Sequence, residues 1–178
     1  MPRERYGGGR IVVCDYDPSW PAQFEEERDR LSGVLQATVV SIEHIGSTSV
    51  PGLAAKPIID LLLGVRSLEQ ARATLPDLFT GLGYRHMVKY EAWLPDVMLF
   101  RRGMPGPWTH HAHVVEEGSD LWNEYVGLRD YLRRHEDIAA AYGDLKRSLA
   151  VLFGDDIAGF REAKRPFVRE MVVRAGSS

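Results

Sequence analysis

From Pro57 to Val65 apolar residues follow one another almost without a break, with Ile58, Ile59, Leu61, Leu62 and Leu63 in the run. That pattern predicts a central strand buried on both faces. Thr38 to Ile45 is rich in β-branched residues and predicts a second strand, and Ile11 to Cys14 a short one near the start. Helical signals come between and after them. Ser19 as N-cap with Pro21 in the first turn opens a charged helix to about Leu35. Ser67 with Gln70 forms a capping box for a helix to about Leu78, stopped by Gly81-Leu82-Gly83. Three further strands are expected at Tyr84 to Lys89, Val97 to Arg101 and His111 to Glu116, with Met104-Pro105-Gly106-Pro107 as a loop between the last two.

After Ser119 the pattern becomes helical for the rest of the chain, with Leu121, Trp122, Tyr125, Leu128 and Leu132 at core spacing. Two more helices, about Asp137 to Phe153 and Ile157 to Val173, are separated by Gly154-Asp155-Asp156. Strands gathered early and helices late predict an α+β fold: a mixed β-sheet with flanking helices and a helical C-terminal third. The organisation read from this is a flexible lead-in over residues 1–10 with Gly7, Gly8 and Gly9, an α/β core over 11–118, helices over 119–175 packed on the same domain, and a frayed Gly176-Ser177-Ser178 tail.

Composition narrows the classes. With 178 residues, 44% hydrophobic and 26% charged, the chain is long enough for a self-sufficient core. A net charge of -3 argues against a dedicated nucleic-acid partner, though local cations suffice for a small anion. Cys14 is the only cysteine, which excludes an intramolecular disulfide and a Cys-based zinc cage and fits a reducing cytoplasm. The opening MPRERYGGGR lacks the apolar core of a signal peptide, and no apolar run reaches the ~20 residues needed to cross a bilayer. Cytoplasmic localisation, without a membrane partner, is the expectation; oligomeric state is not readable.

Four features carry candidate chemistry. Gly46-Ser47, with Thr48 following, is a strand-to-turn junction: either a phosphate cradle of backbone N–H groups or a tight turn with a serine cap. Asp60 interrupts the apolar run, and a carboxylate there needs a metal ion, a hydrogen-bond donor or a nearby cation such as Lys56. His111 and His113, two apart in a strand, point from one face and suit a shared metal ion, whereas His110 points the other way. His44 is a weaker candidate; His86 and His135 are incidental. On the late helices Arg129 and Arg133, Tyr142 and Lys146, and Phe160 and Lys164 share faces at i, i+4, either as cations for an anionic ligand or as solvated faces. P-loop, Rossmann and nucleophile-elbow motifs are absent.

The segment His44-Ile45-Gly46-Ser47-Thr48-Ser49-Val50-Pro51-Gly52-Leu53, followed by Ala55-Lys56-Pro57-Ile58-Ile59-Asp60, closely resembles the signature of the GrpB family, also called UPF0157. The similarity runs on through His111-Ala112-His113-Val114, Arg129 to Arg133, Tyr142 with Lys146, and Lys164. That family is similar to nucleotidyltransferases of polymerase-β type, in which Gly-Ser holds nucleotide phosphates and two carboxylates on one strand bind divalent ions that activate nucleophile and leaving group. The resemblance implies Asp60 as the catalytic carboxylate and a divalent metal (Mg, Mn or Zn) at Asp60, His111 and His113. It also implies phosphate or nucleotide contacts from Gly46, Ser47, Thr48, Lys56, Arg129, Arg133, Lys146 and Lys164. One position departs: two residues after Asp60 stands Leu62 rather than an acid, so this strand alone cannot build a two-metal site. A mixed nitrogen and oxygen set would suit Zn, Mn, Ni or Fe better than Mg. Nucleotidyl transfer to an unknown acceptor is the implied activity. The alternatives are a non-catalytic nucleotide- or CoA-binding module, since GrpB-like domains also occur joined to dephospho-CoA kinases, and a His/Asp metal-dependent hydrolase needing Glu43, Glu91 or Glu116 as base.

Overall fold

A computed structural model describes residues 10–103 and 107–176. The expected loop residues Met104, Pro105 and Gly106, the lead-in over 1–9, and Ser177 and Ser178 lie outside the described residues. Five strands, β1 (Val39–Ile45), β2 (Ile59–Val65), β3 (Tyr84–His86), β4 (Met98–Arg102) and β5 (His110–Glu116), form one open sheet in the order β1-β2-β5-β4-β3. Among the described residues only the β2–β5 pair is parallel. Five helices among the described residues flank the sheet: α1 (Trp20–Leu35), α2 (Leu68–Gly81), α3 (Asp120–Arg134), α4 (Glu136–Phe153) and α5 (Ile157–Gly176). The α+β expectation holds. No helix among the described residues is long and apolar enough to cross a membrane.

Alternation along β2 divides its side chains between two layers, as the period of a strand requires. Ile59, Leu61, Leu63 and Val65 join Phe24, Leu31 and Leu35 of α1 and Leu75 and Phe79 of α2 in the main core. Each such buried side chain stabilises by roughly 1.5–3 kcal/mol. Leu62 faces the other way, into a cluster with Ile45, Val97 and Val115 against which Leu121, Trp122 and Tyr125 of α3 pack. Asp60 lies on this second face, so the late helices roof the carboxylate.

Ends differ from expectation in three places. Ile11 to Cys14 does not form a strand: only Cys14 pairs, with Ala55, because that stretch lies along the loop before β2 rather than along a sheet edge. Ser19 has helical dihedrals and makes no cap; Asp17 Oδ1 accepts its N–H at 2.8 Å and fills the role. The strand at Tyr84 stops at His86 and gives way to a short 3-10 turn, Val88–Tyr90. Ser67 and Ser119 cap as expected, accepting from Gln70 N and Trp122 N. On the first face a buried Glu27 accepts from Tyr84 Oη at 2.7 Å and pairs with Arg30 and Arg102, so its charge is compensated.

Candidate metal and anion site

β1 ends at Ile45, which pairs with Asp60, and the chain turns at once through Gly46 into a 3-10 turn, Ser47–Ser49. Gly46 has φ 69° and ψ -172°, a conformation open essentially to glycine alone. It also brings the backbone so close to Asp60 that a Cβ would lie 2.4 Å from Oδ2. Close approach fixes the glycine and locks the turn against the carboxylate.

Across the parallel pair Asp60 sits opposite His111, and Leu62 opposite His113. Asp60 Oδ1 is 3.1 Å from His111 Nδ1 and 3.8 Å from His113 Nε2, and Tyr125 Oη is 3.4 Å from His113 Nδ1. One donor atom from each of Asp60, His111 and His113 lies within 4.8 Å of the others. Burial alone would raise the Asp60 pKa, but hydrogen bonds from the two histidines outweigh it and hold the carboxyl well below the usual range. Burial pushes His111 down to about 4. An ionised carboxylate and a neutral imidazole are the protonation states a metal ion requires. The donor set fits a borderline divalent ion such as Zn or Mn; Mg, which favours oxygen ligands, fits it less well.

These groups open into one cavity of about 320 Å³ between the sheet and the late helices, lined also by Gly46, Ser47, Thr48, Lys56, Lys146 and Lys164. Asp60 is the one carboxylate among the described residues lining it, against three lysines and Arg101, Arg129 and Arg161. Lys146, 4% exposed on α4, donates from Nζ to Ser47 Oγ at 2.7 Å. Desolvation and then the charge of Lys164 press Lys56 and Lys146 each down to about 7. Arg101, 7% exposed, has an Nε with no hydrogen-bond partner among the described residues and stacks over Tyr90 at 5.0 Å. The cavity is therefore built around positive charge that an incoming anion would neutralise.

The sequence candidates do not all arrive there. Arg129 lines the cavity wall, yet Glu43, Asp130 and the His44 carbonyl hold its guanidinium. Arg133, one helical turn further on, donates from Nε to the Ser49 carbonyl at 3.0 Å and lines a separate cleft against α1. Thr48 is also on the wall, but its hydroxyl is taken up 3.0 Å from His44 Nε2. His44 itself stacks on Phe24 and is pushed by burial to about 4, a neutral core residue. The hydrolase alternative loses its three proposed bases: Glu43 is tied to Arg129, Glu91 to Arg72 and His86, and Glu116 accepts from Leu68 N.

The cavity also takes in Arg101, Arg161, Tyr90 and Tyr125, which no sequence motif marks as site residues. Arg101 was hidden because its face depends on β4 pairing with β5, which sets it opposite His111. Tyr125 read as core and serves also as the partner of His113. Arg161 stands one residue beyond Phe160, itself at the cavity wall.

A family model described as "GrpB protein" matches residues 10–174. The UPF0157 protein YqkA of Bacillus subtilis is 35% identical over 92% of this chain, which spans 47% of YqkA's own length. The glutamate-rich protein GrpB of Alkalihalophilus pseudofirmus is 30% identical over 92% of this chain and 95% of its own. Among solved structures, the conserved protein GrpB from Enterococcus faecalis superposes with a TM-score of 0.84 at 38% identity, covering 92% of this chain and 96% of that one. With the family model running nearly end to end and the fold matched at this identity, the chain belongs to the GrpB family.

Proposed function

We propose that the protein binds a phosphorylated small molecule, a nucleotide by preference, and transfers its nucleotidyl or phosphoryl group at a His/Asp metal centre on a nucleotidyltransferase-like sheet. The observation carrying this reading is the convergence of Asp60, His111 and His113 with the Gly46-Ser47 turn in one cavity whose remaining charge is positive. Asp60, His111 and His113 would hold a divalent ion, which when bound would supply Lewis-acid polarisation of a phosphoryl oxygen. Gly46 allows close backbone approach, Lys56 and Lys164 neutralise phosphate charge, and Arg101 has an Nε donor to give. Tyr90, Leu94 and Leu99 offer an apolar wall for the uncharged part of the ligand.

Leu62 favours a second reading. The position of the second acid is fully buried among apolar side chains, so the pocket would persist as a binding module without turnover. Metal analysis of the purified protein and of Asp60→Ala and His113→Ala variants, with calorimetry against ATP, GTP and CoA and a pyrophosphate-release assay, separates the two. Stoichiometric metal lost in both variants, together with metal-dependent product release, supports transfer. Metal-indifferent binding without product supports the module, and equal near-zero metal in all three proteins overturns the centre.

A further inference from the structure

Ser47 and Lys146 stand ninety-nine positions apart in sequence and meet at 2.7 Å inside the cavity. A buried ammonium ordinarily finds a carboxylate, because a neutral hydroxyl compensates little of the desolvation cost. Here the hydrogen-bond partner is a hydroxyl, the nearest ring is Tyr142 at 4.3 Å, and the charges around it are mostly like ones: Lys164 of α5, Lys56 before β2 and Arg147 next along α4, with Asp60 opposing them. Such surroundings favour the neutral amine, whose lone pair can accept the Ser47 proton.

The placement of Ser47 adds a second argument. It follows the glycine-only conformation of Gly46, so the turn is fixed by the contact with Asp60 and the hydroxyl lines the same cavity as the metal-binding side chains. Where two carboxylates share a strand, the second ion activates the attacking hydroxyl. Leu62 removes that device, and a base must come from elsewhere. Lys146 is a buried amine already in contact with a hydroxyl.

We infer that Ser47 is a nucleophile and Lys146 its general base, acting on a phosphoric anhydride or ester. Ser47 Oγ attacks phosphorus, the Oγ–P bond forms, and the bond from phosphorus to the leaving oxygen breaks with its electron pair. The Ser47 proton passes to Lys146 Nζ and on to the leaving oxygen. Water or an acceptor hydroxyl then attacks the phosphoserine-type intermediate, the P–Oγ bond breaks, and Lys146 carries the acceptor's proton back to Ser47. Serine–lysine pairs perform the equivalent proton transfers in acyl chemistry.

The inference rests on reading the cavity as a phosphate-ester site, but its test does not need the natural ligand. Diisopropyl fluorophosphate is added to the full chain, and the adduct is located by intact mass and peptide mapping. A single adduct is expected on Ser47, with fluoride released and the exposed Ser148 unmodified. Lys146→Arg places a permanent cation there and loses the base, so labelling should slow by roughly a hundredfold or more, as for loss of general-base catalysis. Lys146→Met should behave alike, with cooperative urea unfolding confirming that both variants are folded. No adduct on Ser47 in the unmodified protein overturns the inference without any variant, and so does Lys146→Arg labelling at the parent rate. The parent protein separates the two proposals: Ser47 labelling in a protein that holds no metal leaves the pair standing and sinks the metal centre, and metal-dependent nucleotide binding without labelling does the reverse.

Discussion

Replacing Gly46 with alanine would strike the backbone and the carboxylate together. The φ of 69° with ψ -172° lies in a region essentially reserved for glycine, which costs an L-residue ~1–3 kcal/mol. The new Cβ would also lie 2.4 Å from Asp60 Oδ2 and 3.0 Å from its Cβ, so the carboxylate must move. Moving it breaks the 3.1 Å contact with His111, and hydrogen bonds to a charged group are worth ~1.5–3 kcal/mol. The sum is ~2.5–6 kcal/mol, a large part of the 5–15 kcal/mol typical of a domain. Gly52→Ala is the control: its φ is 76° and nothing lies within 4 Å of the added Cβ, so only backbone strain of ~1–2 kcal/mol applies. Urea unfolding followed by fluorescence of the buried Trp20 measures both. A double-mutant cycle of Gly46→Ala with Asp60→Ala should show a coupling of ~1.5–3 kcal/mol, because the second change has less left to remove. A Gly46→Ala variant no less stable than Gly52→Ala, with negligible coupling, would refute the locking of turn to carboxylate.

Leu62→Asp, which restores the acid at that position, should lose ~3–5 kcal/mol in urea unfolding, because it buries an unpaired charge in the cluster with Ile45, Val97 and Val115. A folded variant that gains Mg-dependent pyrophosphate release would contradict this. The Lys146 pKa is depressed from 10.5 to about 7 in the folded chain, so between those limits the unfolded chain holds the proton that the folded one has shed. Stability should therefore rise with pH across that window, with a Lys146 share of up to ~1.4 kcal/mol per pH unit. Lys146→Met should flatten the rise, and an unchanged slope in unfolding at pH 7, 8 and 9 would show that the burial penalty is absent. Tyr84→Phe, on the opposite face of the sheet, should cost ~2 kcal/mol through the lost bond to Glu27. Its metal content should match the parent; lowered metal would mean the two faces are coupled.

How much of the site was legible depends on how far apart its parts lie in the chain. Gly46, Ser47 and Asp60 belong to one continuous segment, and the break in apolar pattern at Asp60 together with His111-x-His113 was enough to name the metal candidates. The face of Arg101 was not legible, since it depends on the antiparallel register of β4 on β5. Nor was the sorting of the helical cations: spacing put Arg129 and Arg133 on one side of α3, and only packing sent one to Glu43 and the other to the Ser49 carbonyl.

By itself the sequence determined the α+β class, most element positions and the family, because these follow from local periodicity, capping residues and one contiguous signature. It misplaced the strand at Ile11 and the cap at Ser19, where a loop at Ala55 and a side chain at Asp17 supplied the partners. Only the tertiary structure decided that β2 lies parallel to β5, which brings Asp60 beside His111, and that α4 lays Lys146 against Ser47. Strand pairing and helix docking join residues fifty to a hundred positions apart, and no local pattern encodes which distant partner a side chain will meet.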